Sequence, residues 1–523
     1  MVSTRRSKKS KSKQVEFLQK PSGVIHPRVQ KVGPEHFGIV CVDCAKARSK
    51  WMLADFYGKV FVPPTEVAHN RVELDFMVAQ VRAALATHDL QDCIVAIERT
   101  GRYHHPVKNA FRRGCFETRL VHPYATKQFR QPANPDIKTD DADLAAMQLA
   151  TVNGFALLEN APTEFWRQLQ LSIRHRRDLV RKASALACQI REHLDAALPG
   201  YAACFDKLWD SNVAFRLVRQ FGSAQAMVEH GVTGLCHYLQ KEKVRFQQRT
   251  IKTITTWAQS AAAPDTAADL HRSIALAYED DRQQKSQEIH ALERDIAHRL
   301  AETPYILLLS MPGINVVSAA DYAGEMGSIS NYANARAITG RAGLFPSRYQ
   351  SDRVDHANGP LVRRANRALR AAILGIADNL MLCNNYFRTR ANLWKLAGKD
   401  PTKSHVKVAC RFARISFHMV AGGQVYNHPS QRERSYILDK LLAFHNEHQT
   451  PWPETLRDLH RVIDHLPKKE HAAEAQPLEE KLREARKGKK TGPQPLHEIL
   501  AIVLARLGVG LVPSTPSEDK GPA

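Results

Sequence analysis

The chain has 523 residues, 43% hydrophobic and 24% charged, which suits a soluble protein of about three domains with buried cores. Lys and Arg total 75 against 53 Asp and Glu, a net charge of +22; such an excess points to a polyanionic partner, nucleic acid foremost, and says nothing about fold. No apolar run reaches the ~18 residues of a membrane span, and no apolar core follows the six Lys/Arg of residues 1–14, so neither a membrane protein nor a secreted one is expected.

The basic start reads as a disordered arm, with the first folded domain opening near residue 35. Phe37–Val42 is a buried strand ending at Asp43, and Trp51–Phe56 and Lys59–Val62 follow as strands around a Tyr57-Gly58 turn. Residues 70–86 carry apolar side chains at a helical period, Cys93–Ile97 is a second buried run ending at Glu98, and 105–113 looks helical. Thr118–Val121 is a strand and Thr139 opens another helix. The order βββαβαβα over 35–155 predicts a mixed sheet flanked by helices, an α/β domain.

From 160 to 302 the character changes to helix. Two runs, 164–194 and 283–303, space their apolar residues as a coiled-coil seam does. They suit antiparallel packing within one chain, an oligomer interface, or ordinary bundle helices. Arg174, Arg176, Arg177, Arg181 and Lys182 on the first run suit a surface facing nucleic acid. Residues 303–425 form a further helical domain with a Pro312-Gly313 turn, a loop from Phe345 to Pro360, and a helix from Leu361 to about Asn379. Residues 426–523 read as a polar, His-rich and partly disordered extension with one terminal apolar segment, Leu496–Leu511. The nine cysteines are odd in number and dispersed, as reduced thiols of a cytoplasmic protein are. The lone Cys41/Cys44 pair lacks the partners of a zinc site.

Three acidic features stand out. Asp43 and Glu98 each end a buried strand, and Asp140 and Asp143 lie three apart at a helix start, projecting from one face. A strand-end carboxylate is costly to bury unless it is paired or binds a cation. Each feature has an ordinary explanation too, since Thr139 can cap the helix and first-turn acids complement its dipole. Together, in this order, they point to a metal-dependent phosphoryl-transfer site. Four converging carboxylates would repel one another unless neutralised, and two Mg²⁺ ions about 3.5–4 Å apart would flank a scissile phosphate.

The text around these residues, Val42-Asp43-Cys-Ala-Lys46, Ile97-Glu98-Arg-Thr-Gly101 and Lys138-Thr-Asp140-Asp-Ala-Asp143, resembles the DEDD transposases of the insertion-sequence-one-ten family, relatives of the Piv DNA invertases. The resemblance implies a RuvC-like RNase H fold for the first domain, with Asp43, Glu98, Asp140 and Asp143 as catalytic ligands of Mg²⁺, with Mn²⁺ as an alternative. Asp141 is given no role. The middle becomes a long-helix (coiled-coil) insert and residues 303–425 a helical C-terminal transposase domain. There Leu309-Ser-Met-Pro-Gly-Ile314 and Ala342-Gly-Leu-Phe-Pro346 are similar to the family's text. The family's serine nucleophile falls on Ser351, with Ser347 the second choice and Tyr349 a competing hydroxyl. Asp352 stands where the family has glycine.

Arg363, Arg367 and Arg370, spaced as one helix face with Arg364 beside them, suit phosphate contacts. The Pro312-Gly313 turn is a weaker candidate for presenting amides to a phosphate. The resemblance further implies donor and target DNA, a structured bridge RNA, a dimer or tetramer, and a place in the cytoplasm at the nucleoid. Two rivals remain: a RuvC-like structure-selective nuclease that uses water, and an inactive nucleic-acid-binding protein.

Overall fold

A computed structural model describes residues 23–132, 135–159, 163–351, 354–356, 359–426, 428 and 437–467. The basic stretch 1–14, Asp352, Lys468–Lys490 and Leu496–Leu511 lie outside the described residues. The chain divides into two compact units, Met1–Ala161 and Pro162–Ala523.

In the first unit the order expected from the sequence is present, with additions. Helix α1 (His26–Val32) comes first. It falls inside the stretch expected to be a disordered arm, because Ile25 and Val29 are buried and Arg28 pairs with Asp92 at 2.5 Å and Glu117 at 2.9 Å. Then follow β1 (Phe37–Cys44), β2 (Arg48–Ala54), β3 (Val60–Ala68), α2 (Arg71–Thr87), β4 (Asp92–Glu98) and α3 (His104–Arg113). The unit closes with β5 (Thr118–Val121), α4 (Pro123–Arg130), α5 (Asp140–Val152) and β6 (Ala156–Leu158). Gly58, at φ +92°, closes the β2–β3 turn.

The six strands lie in the order β3-β2-β1-β4-β5-β6. β1 pairs antiparallel with β2 and parallel with β4; β4 and β5 are parallel, and β6 returns antiparallel to β5. β1 is apolar on both sides because helices cover both faces. Val40 and Val42 pack with Leu74, Met77 and Val81 of α2 and Phe111 of α3. Ile39 and Cys41 pack on the other face with Leu144, Met147 and Ala150 of α5. Cys41 and Cys44 are buried strand residues, and burial pushes the Cys44 thiol up to about 12. They serve as core.

The second unit is helical. α6 (Glu164–Ala197) leads into α7 (Ala214–Phe221), α8 (Ala224–Lys241) and α9 (Gln248–Gln259), and α10 (Ala268–Ala301) returns. α6 and α10 run antiparallel along one another: Arg299 donates to Gln168 at 2.8 Å, Arg176 meets Glu293 at 2.5 Å, and the His193 and His271 rings meet at 2.8 Å. The two seams are thus joined within one chain. Ile190, Leu194, Leu217, Leu235 and Ile251 form a core where α7–α9 meet the far end of α6.

A larger core joins the near ends of α6 and α10 to α11 (Val316–Met326), α12 (Ala335–Ala342), α13 (Arg367–Cys383), α14 (Asn385–Leu396) and α15 (Pro401–Gly422). A short hairpin of β7 (Tyr349–Ser351) and β8 (Val354–His356) occupies the expected loop. The expected polar extension instead begins with α16 (Ile437–Glu447) and α17 (Trp452–His465). Their Leu438, Leu441, Phe444, Leu459, Val462 and Ile463 enter the same core. Among the described residues no helix is long and apolar enough to cross a membrane.

Arg174, Arg176 and Arg177 of α6 are committed internally, which corrects their reading as a surface for nucleic acid, while Arg181 and Lys182 stay exposed. Arg174 grips the buried Glu325 of α11 through two bonds at 2.8 and 2.9 Å, Arg177 reaches Asp321 and Glu325, and Arg176 holds Glu293. Burial alone would raise the Glu325 carboxyl, but its bond to Arg174, helped by Asn366 and Arg177, brings it below the usual range. Its stabilising contribution is therefore present above the ordinary carboxylate pKa and lost as pH falls through the folded value. Removing one member of such a buried set leaves the others uncompensated. Glu325→Ala should cost about 2–4 kcal/mol, a figure discounted because Arg174 is half exposed. A melt followed by circular dichroism at neutral pH should show the loss, and it should shrink in acid; equal melting temperatures for wild type and variant would show that these pairs contribute nothing.

Candidate active site

The acidic site is set by strand register. Side chains alternate along a strand, so Asp43 shares its face with Ile39 and Cys41, and Glu98 with Ile94 and Ala96, the face that α5 covers. The last parallel pair between β1 and β4 is Val42 with Ile97, which sets Asp43 and Glu98 side by side one residue on. α5 opens at Asp140 because Thr139 caps it, its hydroxyl accepting the Ala142 amide at 3.2 Å. Asp140 is exposed and Asp143, a turn later, is buried.

Asp43 registers all three neighbours. Burial pushes its carboxyl up to about 7, and the charge and hydrogen bond of Glu98 and the charges of Asp140 and Asp143 push the same way. The four residues singled out in the sequence are therefore brought together. Two cations border them that the sequence reading missed. Arg130, from the end of α4, pairs with Asp143. Lys50, directly opposite Asp43 on β2, pairs with Asp141 at 2.5 Å. Lys50 was legible in principle, as a charged residue among the buried ones of a strand paired with β1. Thr100 donates to Glu98 at 3.0 Å.

The donors are all carboxylate oxygens, the set suited to Mg²⁺ or Mn²⁺ rather than to softer metals. The Asp43 carboxyl is raised first by burial and then by its three acidic neighbours, and four carboxylates met by only the Arg130 and Lys50 pairs described above fit a divalent cation. The carboxylates are not drawn as tightly as a closed ligand set. Among the described residues, the group of three His, Cys, Asp or Glu with donor atoms within 4.8 Å of one another lies elsewhere, at His290, Glu293 and His448.

In the second unit, Ser351 ends β7 at the hairpin tip and is exposed. Ser347 sits at the hairpin's base, where its hydroxyl donates to the Pro360 carbonyl at 3.0 Å and its amide to the same oxygen at 2.9 Å. Its hydroxyl is thereby engaged in holding the hairpin closed. Tyr349 is exposed on the same strand.

The arginine stripe needs correction. Asn366 caps α13 by accepting the Leu369 amide at 3.0 Å, so the helix starts at Arg367. Arg363 and Arg364 precede it and share no helix face with Arg367 and Arg370. Arg370 donates to the Ala342 carbonyl at 2.8 Å and to that of Val362, closing the end of α12. Arg363, Arg364 and Arg367 are exposed.

The Pro312-Gly313 turn also differs from its phosphate reading. A Cβ on Gly313, at φ +91°, would stand 2.8 Å from the Asn379 carbonyl, so glycine permits close packing on α13. The polar groups the turn presents are carbonyls: Lys440 donates to Leu309, Met311 and Ile314 at 2.7, 2.8 and 3.0 Å. Burial lowers that lysine to about 8.

Comparison with known proteins agrees with these two regions. A family model for the IS110-type DEDD transposases, described as Transposase, matches residues 40–199. A second, described as Transposase IS116/IS110/IS902 family, matches residues 305–392. An uncharacterized 43.6 kDa protein of insertion element IS110 from Streptomyces coelicolor is 25% identical over 294 residues, 54% of this chain and 69% of that protein. An uncharacterized 44.8 kDa protein of insertion element IS116 from Streptomyces clavuligerus is 28% identical over 261 residues, 47% of this chain and 61% of that protein.

Asp43 yields a stability test that does not depend on chemistry. Its folded pKa exceeds the unfolded value, so between about pH 4 and 7 the unfolded chain has released a proton that the folded chain keeps. Stability of the metal-free unit falls with pH across that window, and the penalty is complete above it. Asp43→Asn should therefore melt about 2–4 °C higher than wild type at pH 8 in chelator, and the gap should close near pH 4. A lower melting temperature at pH 8 would show that ionised Asp43 carries no penalty from burial and its acidic neighbours.

Proposed function

The chain belongs to the IS110/IS116/IS902 transposase family, and from that premise we propose that it cuts and exchanges DNA strands through a phosphoserine intermediate. The observation that carries this reading is the gathering of three further carboxylates, Glu98, Asp140 and Asp143, around Asp43. In it the first unit is a RuvC-like RNase H domain. Asp43, Glu98, Asp140 and Asp143 hold Mg²⁺ or Mn²⁺, two ions, which when bound supply Lewis-acid stabilisation of the charge that builds on phosphate oxygens.

The chain's own groups divide the remaining work. Arg130 and Lys50 fix the acidic helix start over the strand ends, and Thr100 orients Glu98. Ser351 supplies the nucleophile: one P–O ester bond forms to its Oγ as another breaks at the departing strand end, and the serine proton finishes on that released hydroxyl. One phosphodiester replaces another, so no nucleotide cofactor is required. Ser351 is preferred over Ser347 because the latter's hydroxyl is spent on Pro360. Arg363, Arg364 and Arg367 contact backbone phosphate, which sets register rather than sequence.

The partners are donor and target DNA with a bridge RNA as guide, and the +22 charge accommodates both nucleic acids. Exchange between two duplexes calls for a dimer or tetramer. α6 and α10 spend their facing seams on each other, so subunit contacts fall on other surfaces.

The two rivals separate cleanly in a trapping assay. Protein co-expressed with RNA from the flanks of its own gene is mixed with labelled donor and target DNA and Mg²⁺, and the products are resolved on denaturing gels. Wild type should give a protein-linked DNA band that both Ser351→Ala and Asp43→Ala abolish. Cleavage without that band, lost only in Asp43→Ala, would identify a nuclease that uses water. Absence of any metal-dependent cleavage would leave a binding protein.

A further inference from the structure

A second group of metal-binding side chains lies in the helical unit, on residues that DNA cleavage does not use. His290 and Glu293 sit one turn apart on α10, and His448 follows the end of α16. One donor atom from each falls within 4.8 Å of the other two. His448 Nε2 stands 2.7 Å from Glu293 Oε2, and the His290 and His448 rings are 5.0 Å apart between centroids. Glu293 and His448 are buried, while His290 is exposed at the mouth of the group.

Both ring nitrogens of His448 are engaged. Its Nδ1 faces the Phe444 carbonyl at 2.9 Å and its Nε2 faces the Glu293 carboxylate. Both partners are acceptors, whereas a neutral imidazole has one N–H to give. The second nitrogen needs either an added proton or a metal ion. An imidazole whose far N–H is held by a backbone carbonyl is also the usual form of a metal-bound histidine, because that bond fixes tautomer and ring orientation. The other Glu293 oxygen is held by Arg176 at 2.5 Å, which orients the carboxylate and leaves Oε2 to the metal. Arg294 donates to the His448 carbonyl at 3.2 Å.

We propose that His290, Glu293 and His448 bind a divalent transition metal, zinc foremost, which fastens the α16–α17 pair to α10. Two imidazoles and one carboxylate favour Zn²⁺ over Mg²⁺. Tetrahedral zinc with bonds near 2.0–2.2 Å places its donors about 3.3 Å apart. The Glu293–His448 pair therefore parts by roughly half an ångström while exposed His290 swings in, and water takes the fourth position. Binding releases any proton on His448 Nε2 and leaves Zn²⁺ in its place, with no change of oxidation state.

The test reads bound metal rather than DNA products, so it stands or falls apart from the recombinase reading. Full-length protein stripped with chelator is dialysed against Zn²⁺ in excess Mg²⁺, which occupies the carboxylate site, and metal content is measured by mass spectrometry. We expect about one zinc ion per chain, a rise in melting temperature with zinc, and tetrahedral absorption bands when Co²⁺ is used instead. His290→Ala, a surface change that spares the fold, should weaken zinc binding ~10-fold or more and abolish the thermal gain. Glu293→Gln should do the same. Zinc-free protein after dialysis, or zinc held as tightly by His290→Ala as by wild type, would overturn the site and leave a hydrogen-bonded pair of buried side chains.

Discussion

Two carboxylates at the ends of adjacent parallel strands are the constraint around which the first unit is arranged. β1 and β4 are apolar on both faces through their middles because helices cover the sheet on both sides, so charge is confined to their ends: Asp92 opens β4, and Asp43 and Glu98 lie where the two strands finish. Register then sets Asp43 beside Glu98, and α5 lowers two more acids onto the same spot. Burial first, and then the charges of Glu98, Asp140 and Asp143, resist ionisation of Asp43 and push its carboxyl up to about 7. An all-oxygen donor set of this kind is suited to a hard divalent cation.

The second unit handles charge differently. Its acids are met from within the chain: Glu325 by Arg174 and Arg177, Asp321 by Arg177, and Asp458 by His298 and His445 at 2.5 and 3.2 Å. These pairs tie α6 and α10 to the helices that follow, so one hydrophobic core runs through what the sequence divides into a coiled-coil region, a helical domain and an extension. Part of the large positive charge is thereby spent on structure. Arg363 and Arg367, beside the Ser351 hairpin, remain exposed.

What was legible in the sequence follows the range of the forces involved. The βββαβαβα order could be read because strand and helix periods are local, and the four acids stood out because charge at the end of a buried run is expensive wherever the chain folds. The α6 arginines misled because their partners lie about 120–150 residues away and carry no local mark. The arginine stripe failed for a nearer reason: Asn366 is a strong cap, and its presence argued for a helix start four residues after Arg363. α16 and α17 were masked by polar and histidine-rich composition. Yet Leu438, Leu441 and Phe444, and Leu459, Val462 and Ile463, already held the helical spacing of a buried face.

The central claim is that Asp43, Glu98, Asp140 and Asp143 jointly hold metal, and anomalous diffraction from crystals grown with Mn²⁺ tests it most directly. We expect anomalous peaks between these four carboxylates in wild-type crystals and their disappearance in Asp43→Asn crystals of the same form. Peaks at other residues with none at the strand ends, or peaks unchanged in the variant, would contradict it.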